Sequence, residues 1–383
     1  MRKVRGWKIF ITLAAIAILA VGCGSKGKEE PPAELPKITP EVTLQQLWSH
    51  SIGDGQGDEY NLLTPAVEGD NIYAAASDGE VYSLDRATGR VIWHVDLNEP
   101  ISGGVGVGYG LVLVGTLRGE VIALAEESGK ELWRHRISSE VLSTPVNNGD
   151  VVVVQAQDDQ IFALDALSGE QRWMFANDPA ALSLRGTSSP LVTSQLVVAP
   201  LSTGRVIALD TQRGLPIWEA TVAVPNGRTE LERMVDIDGG LLRDGDSLYV
   251  VSYQGHLAAL DLSSGHQLWQ IDANSYNGVA EGYHSLYISD ADGTVTGIDA
   301  ATNTQLWQNK QLARRQLSSP AVLSNYVAVG DYQGYLHLLS QADGRLVGQL
   351  RVDSGGLRAR PLVVDDTLYA YGNGGELAAY KIR

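Results

Sequence analysis

The sequence predicts an all-β fold, an eight-bladed β-propeller with four antiparallel strands in each blade. Three observations carry this. The phrase "ALDALSGEQRW" (163–173) returns as "ALDTQRGLPIW" (208–218) and "ALDLSSGHQLW" (259–269), with "SLDRATGRVIW" (83–93) as a close variant. Trp93, Trp133, Trp173, Trp218, Trp269 and Trp307 close successive copies at spacings of 40, 40, 45, 51 and 38 residues, the period of a propeller blade. The two ends are incomplete in complementary ways. "LQQLWSH" (44–50) supplies Trp48 with no blade before it, and the last copy (360–383) stops at "GELAAYKIR" without a fourth strand. Trp48 stands 45 residues before Trp93, so its strand is predicted to close the last blade and seal the ring.

The chain opens with Arg2, Lys3, Arg5 and Lys8, then an apolar run over 9–21, then Gly22-Cys23. This is the layout of a secretory signal, and the run is too short to span a bilayer comfortably as a helix. Residues 1–22 are therefore expected to be a signal peptide. Cys23 is the only cysteine in 383 residues, so the exported domain must hold together without disulfides. Residues 24–40, "GSKGKEEPPAELPKITP", combine six charges and four prolines with no large apolar cluster, which reads as a flexible tether. The propeller is expected over 41–383.

Within that span each unit carries four short β-rich runs. In the third these are 143–146, 151–155, 160–165 and 171–175. Glycine follows the second run in pairs such as Asp78-Gly79, Arg118-Gly119, Thr203-Gly204 and Gln254-Gly255, where a hairpin needs positive φ. After the third run, Asp165, Asp210 or Asp261 can cap its own following backbone while Gly169, Gly214 or Gly265 takes the left-handed position. The tryptophan then buries a large plane where one blade packs on the next, which makes Trp48, Trp93, Trp133, Trp173, Trp218, Trp269 and Trp307 the predicted blade-docking residues. In the seventh copy Gly348 holds the tryptophan's slot.

Charge narrows the partners. Removing the four basic residues before Cys23 leaves 29 − 4 = 25 Lys and Arg against 45 Asp and Glu, a formal −20. Such a surface repels phosphate backbones, so nucleic acid is not expected as a partner. Catalytic signatures are thin. The seven histidines form no HExxH or HxH pair, there is no GxSxG elbow, and "GGVGVGYG" (103–110) lacks the G-x-G-x-x-G spacing and opens a strand. "DADG" (290–293) and "DIDG" (236–239) are too short for a calcium loop. No cofactor, metal or catalytic residue is assigned.

Two units are longer than the period requires, at "NDPAALSLRGTSSP" (177–190) and "PNGRTELERMVDIDGG" (225–240). Inserted loops on one face of a propeller are where binding tends to reside. The first sets Leu182 and Leu184 beside Arg185, and it either packs on its own blade or forms a binding surface.

The residues quoted above carry three resemblances. "AVGC" (20–23) resembles a bacterial lipoprotein processing box, though Ala20 stands where leucine is usual. The resemblance implies lipidation of Cys23, and Gly24 in place of aspartate implies the outer membrane. The tryptophan phrase resembles the repeat of the quinoprotein propellers over nearly all of 44–383, which is specific for fold and weak for function. Those dehydrogenases are commonly longer and many carry an adjacent cysteine pair. Signal, tether, eight blades, "LSLRG" (182–186) and "DID" (236–238) together resemble the BamB family of lipoproteins, which belong to the machinery that folds β-barrel proteins into the outer membrane. That resemblance implies docking on the periplasmic POTRA domains of BamA through Leu182, Leu184 and Arg185 with Asp236 and Asp238, and a non-enzymatic scaffold that helps deliver unfolded outer-membrane proteins. A pyrroloquinoline quinone dehydrogenase and a polysaccharide-binding propeller are the competing readings. The latter needs aromatic residues gathered on one face, with Tyr60, Tyr253, Tyr276 and Tyr332 as candidates.

Overall fold

Val151–Gln155 is four valines and a glutamine, a run suited to a pleat covered on both sides. It pairs antiparallel with Ile161–Asp165, which pairs in turn with Gln171–Phe175, while the short Val146–Asn147 lies on its other edge. This unit recurs as eight four-stranded sheets in a computed structural model that describes residues 30–383, with Ala33–Arg383 as one unit. All 32 elements are strands, and among the described residues there is no helix. The expected signal peptide and Cys23 lie outside the described residues. Second and third strands are buried almost throughout, because each blade is covered by its neighbours, whereas the outermost strands alternate between buried and exposed. The apolar clusters accordingly lie between blades: one joins Val151 and Val153 of blade three to Val197 and Ala199 of blade four.

The tryptophan phrase forms a two-sided joint. On one side the aspartates cap the turn as expected: Asp165 Oδ1 accepts from the N–H groups of Leu167 and Ser168 at 3.0 and 2.9 Å, and Asp210 Oδ1 from those of Gln212 and Arg213 at 3.0 and 2.8 Å. On the other side the turn receives the preceding blade's indole. Trp133 Nε1 donates to Ala166 O at 3.0 Å and Trp173 Nε1 to Thr211 O at 2.8 Å, and Trp48, Trp93, Trp218 and Trp307 reach the following blade in the same way. Gly169 has φ +71°, and a Cβ there would sit 2.6 Å from the ring of Trp133. The glycine thus serves the turn and also gives the indole a flat seat.

Two positions depart from the expected pattern. Trp269 is only half-buried, because the matching turn of blade six has Asn303, at φ 54°, where the other blades have glycine. Like Trp48, Trp93 and Trp307, Trp269 packs beside a tyrosine of its own blade, Tyr249, at 5.9 Å between centroids, and it lies against the cluster joining blades five and six. In the hairpin of blade five the positive φ, 48°, belongs to Gln254 and not to Gly255, which is kept small by Ser252 Oγ.

The ring closes as the unmatched ends predict. Leu44–Ser51 pairs with Glu376–Ile382, with Trp48 opposite Ala379. The chain joins the propeller earlier than expected, however. The stretch read as tether through Pro40 is laid on blade seven from Ala33 onward. Ala33 N–H donates to Ala313 O at 2.9 Å, Arg315 donates to Ala33 O at 2.8 Å, and Gln349 donates to Pro36 O at 3.1 Å. Ile38 covers the Leu312–Leu317 cluster, and Val42 lies where a Cβ on Gly348 would fall, 2.8 Å from its carbonyl oxygen. The tryptophan missing from blade seven is replaced by this segment, since blade eight has no covalent turn between its third and fourth strands to seat an indole.

The glycine seat is testable by comparing two left-handed glycines. Gly69→Ala, at φ +56° in open space, should cost about 1 kcal/mol from backbone strain alone. Gly169→Ala should lose about 1–3 kcal/mol more in urea unfolding, because the methyl group also displaces Trp133. Equal losses would show that the indole yields without cost.

Candidate binding face

The two inserted loops leave the outermost strands of blades three and four, Gln171–Phe175 and Pro216–Thr221, and both return to an innermost strand. They therefore emerge on the face that also carries the hairpins between second and third strands, and those hairpins hold them. Gln157 Nε2 donates to Leu184 O at 3.3 Å, and Gln157 Oε1 accepts from Thr187 Oγ1 at 2.8 Å. Ser202 Oγ accepts from Ala180 N–H at 2.9 Å and donates to the buried Asp159 at 2.6 Å. Ser188 Oγ ties the first loop to the second through Gly239 O at 2.9 Å.

The five predicted site residues come together, in different roles. Leu182 is exposed, Leu184 and Arg185 are half-buried, and Leu184 and Arg185 line the mouth of a cavity of about 650 Å³ on the propeller axis. Arg185 is held by Glu140 at 2.8 Å, with Glu59 at 3.9 Å. Asp236 is turned inward and 1% exposed; Oδ2 accepts from Leu184 N–H, and its own carbonyl accepts from Tyr253 N–H at 2.8 Å. In this structure the acid fixes the loop that presents Leu184. Asp238 is half-buried, facing the axial cavity beside Gly186, where a Cβ would meet its carboxyl carbon at 3.2 Å. Flanking Val235 and Ile237 are buried, which pins both acids. Burial pushes the Asp236 carboxyl up to about 6, with the Leu184 N–H opposing, and pushes Asp238 up to about 8, with Asp236 and Asp159 adding to the effect.

Sequence reasoning missed Glu140 and Gln157, which reach the loop from elsewhere in the ring and have no motif of their own. It also did not join the aromatic residues: Tyr60, Tyr276 and Tyr332 line the same cavity. Around the mouth, Val224 and Leu231 of the second loop are 70% and 64% exposed. This is an arrangement for contact with another surface: exposed aliphatic groups, a pre-positioned guanidinium, and loops held by internal hydrogen bonds. Among the described residues no three acids, histidines or cysteines are placed to hold a metal. With a single cysteine the chain cannot form the adjacent pair expected in many quinoprotein dehydrogenases.

Fold and face define a quinoprotein-type propeller that presents loops for recognition. The family model described as outer membrane protein assembly factor BamB matches residues 77–309 and 291–383. A relative from Pseudomonas aeruginosa, named outer membrane protein assembly factor BamB, is 59% identical over 98% of this chain and 99% of its own. The crystal structure of BamB from Moraxella catarrhalis superposes with a TM-score of 0.82 at 29% identity, over 88% of this chain and all of that one. Quinohemoprotein alcohol dehydrogenase from Comamonas testosteroni, at 14% identity and a TM-score of 0.69 over 88% of this chain and 76% of its own, shares the fold alone. The chain belongs to the BamB family of outer membrane protein assembly factors.

The inward acids make stability depend on pH in a defined sense. The folded protein holds these protons more tightly than the unfolded chain, whose carboxyls titrate near 3.8. Their contribution is therefore most favourable at low pH and is lost as pH rises from 3.8 through about 8. Asp238→Asn should flatten that decline when urea unfolding is compared at pH 5 and pH 8; an unchanged slope would show that Asp238 is not the group responsible.

Proposed function

We propose that this protein is a non-enzymatic scaffold of the outer-membrane β-barrel assembly complex. It is carried on a lipid at Cys23 at the periplasmic side of the outer membrane, and it docks on the POTRA domains of BamA through the loop face of blades three to five. The observation that carries this reading is the rigid presentation of Leu184 and Arg185, with Leu182 beside them, on a loop pinned from within by Asp236. Leu182 and Leu184 supply a small desolvating centre, and Arg185, already oriented by Glu140, sets register against the partner. Asp236 and Asp238 act at one remove, by holding the loop's shape. Unfolded outer-membrane proteins reach the complex as exposed strands, and a scaffold beside BamA orients them without performing chemistry. Its deletion should therefore slow barrel insertion without abolishing it.

A photo-crosslinkable residue at Leu184, with Thr88 as control, tests the reading. Thr88 lies in a turn between third and fourth strands, on the opposite face, capped by Asp85 at 2.9 Å. BamA should be captured in intact envelopes from position 184 and not from 88, and Leu184→Ala should weaken binding of purified POTRA domains by about 1–2 kcal/mol, roughly tenfold. Equal capture from both positions, or none from 184, would refute this face as the docking site.

A further inference from the structure

The axis of the propeller holds a second feature that the docking loops do not use. Two residues before the first ladder pair of the innermost strand, in every blade but the second, stands a residue that lines one throat at the centre of the ring. That register places Thr64 before Ala66, Thr144 before Val146, Ser189 before Leu191 and Ser319 before Ala321, all carrying hydroxyls. It places Gly240 and Gly278 in blades five and six, while in blade two Gly104, inside its strand, lies against Thr144 and Thr64. These positions touch around the ring: Thr144 N–H donates to Ser189 Oγ at 2.9 Å, and Gly278 N–H to Ser319 Oγ at 2.9 Å. In blade eight the same position, before Leu362, is Arg360. At this register six blades thus give the throat a small residue and one gives it a guanidinium.

Arg360 lines a throat of about 150 Å³ together with the ring's hydroxyls. A space of that size takes a group about as large as benzene. Arg358 and Arg185 line it too, but they are engaged: Arg358 donates to Gly57 O and Glu59 O at 2.9 Å each, and Arg185 pairs with Glu140. Arg360 has neither hydrogen-bond nor ion-pair partner among the described residues, and burial alone lowers its pKa, with no acid opposing the effect. One acid, Asp238, faces the same throat, and with its carboxyl raised to about 8 it is largely uncharged at neutral pH. A protein of net charge −16 therefore keeps a positive spot at its centre. The throat opens into the larger cavity at the mouth, where Leu62, Leu317, Leu357 and the rings of Tyr60, Tyr276 and Tyr332 form an apolar funnel.

We propose that the central channel is a binding site for a carboxylate borne on an apolar or aromatic body, with Arg360 as the anion's partner and the ring hydroxyls as further donors. A guanidinium matches a carboxylate bidentately. Ser189 accepts a backbone N–H and keeps its own proton to donate, whereas Ser319 also donates to Asn277 Oδ1 at 3.5 Å. The body of the ligand lies in the aromatic funnel. Two sources present this chemistry, a free small acid or the C-terminal carboxylate of an extended peptide with an apolar last residue, and the test separates them.

The purified protein is titrated calorimetrically with 3-phenylpropionate and with 3-phenylpropionamide, then with a heptapeptide ending in phenylalanine, as free acid and as C-terminal amide. At least one acid should bind about tenfold or more tightly than its amide, and the tighter of the two acids identifies the source. Arg360→Gln should abolish the preference for acid over amide, and Arg360→Lys should keep part of it. Equal affinity for acid and amide, no heat with either acid at millimolar concentration, or an unchanged preference in Arg360→Gln would overturn the proposal. If Arg360→Gln does not fold, the comparison of acid and amide on the unaltered protein decides alone. Because no BamA is present, failure here leaves the docking reading untouched, and the converse holds.

Discussion

The propeller depends on one contact made repeatedly: an indole lying flat on the glycine of the next blade's turn while its Nε1 proton goes to a carbonyl of that turn. A blade by itself exposes two apolar faces and cannot persist alone. Burying a tryptophan removes on the order of 150–250 Å² from water, an upper bound of roughly 4–6 kcal/mol for each joint. The hydrogen bond adds direction, since it fixes how far one sheet is rotated on its neighbour. Trp269 shows the dependence by exception: with Asn303 in place of the glycine, the indole stays half-buried against the cluster that joins blades five and six. The longest inserted loop, over residues 222–241, enters blade five, the blade that carries this exceptional tryptophan.

Regular joints are what allow irregular loops. The blades hold their ends in place, and the loop at 177–190 is fastened to three separate parts of the ring: the hairpin of blade three through Gln157, the hairpin of blade four through Ser202, and the second loop through Ser188 and Asp236. A surface so fastened loses little freedom on binding, which favours recognition by a preformed shape over ordering on contact. The cost is two inward-facing acids held above their ordinary pKa, of which the buried Asp236 keeps an oxygen without a partner.

The repeat made the fold legible. Eleven residues written several times reveal their own boundaries, and the lone Trp48 with the truncated last copy was enough to place the seam. The glycine's second role was hidden because it involves a ring some forty residues upstream, beyond any local pattern. The loop residues were legible as a group but not in their directions. In "DID" the alternation puts Asp236 and Asp238 on one side, yet which side is covered depends on the neighbouring loop, and the first loop lies over Asp236. Arg360 was visible in the register, "RPL" where other blades read "TPA", "TPV" or "SPL", but only the ring makes those positions neighbours.

The docked segment ahead of Trp48 has a mechanical meaning. The seam of the ring is the one place where third and fourth strands of a blade are not joined by chain, and the strand that fills it is the one nearest the N-terminus. A pull from that end along the chain first meets the contacts of Ala33 with Ala313 and Arg315, then those of Glu41 and Val42 with Val347. Only after these give way does load reach Leu44–Ser51, whose ladder to Glu376–Ile382 then resists in shear, with its hydrogen bonds strained together and not one at a time. The segment works as a strain relief, like the clamp on a cable that keeps tension off the joint.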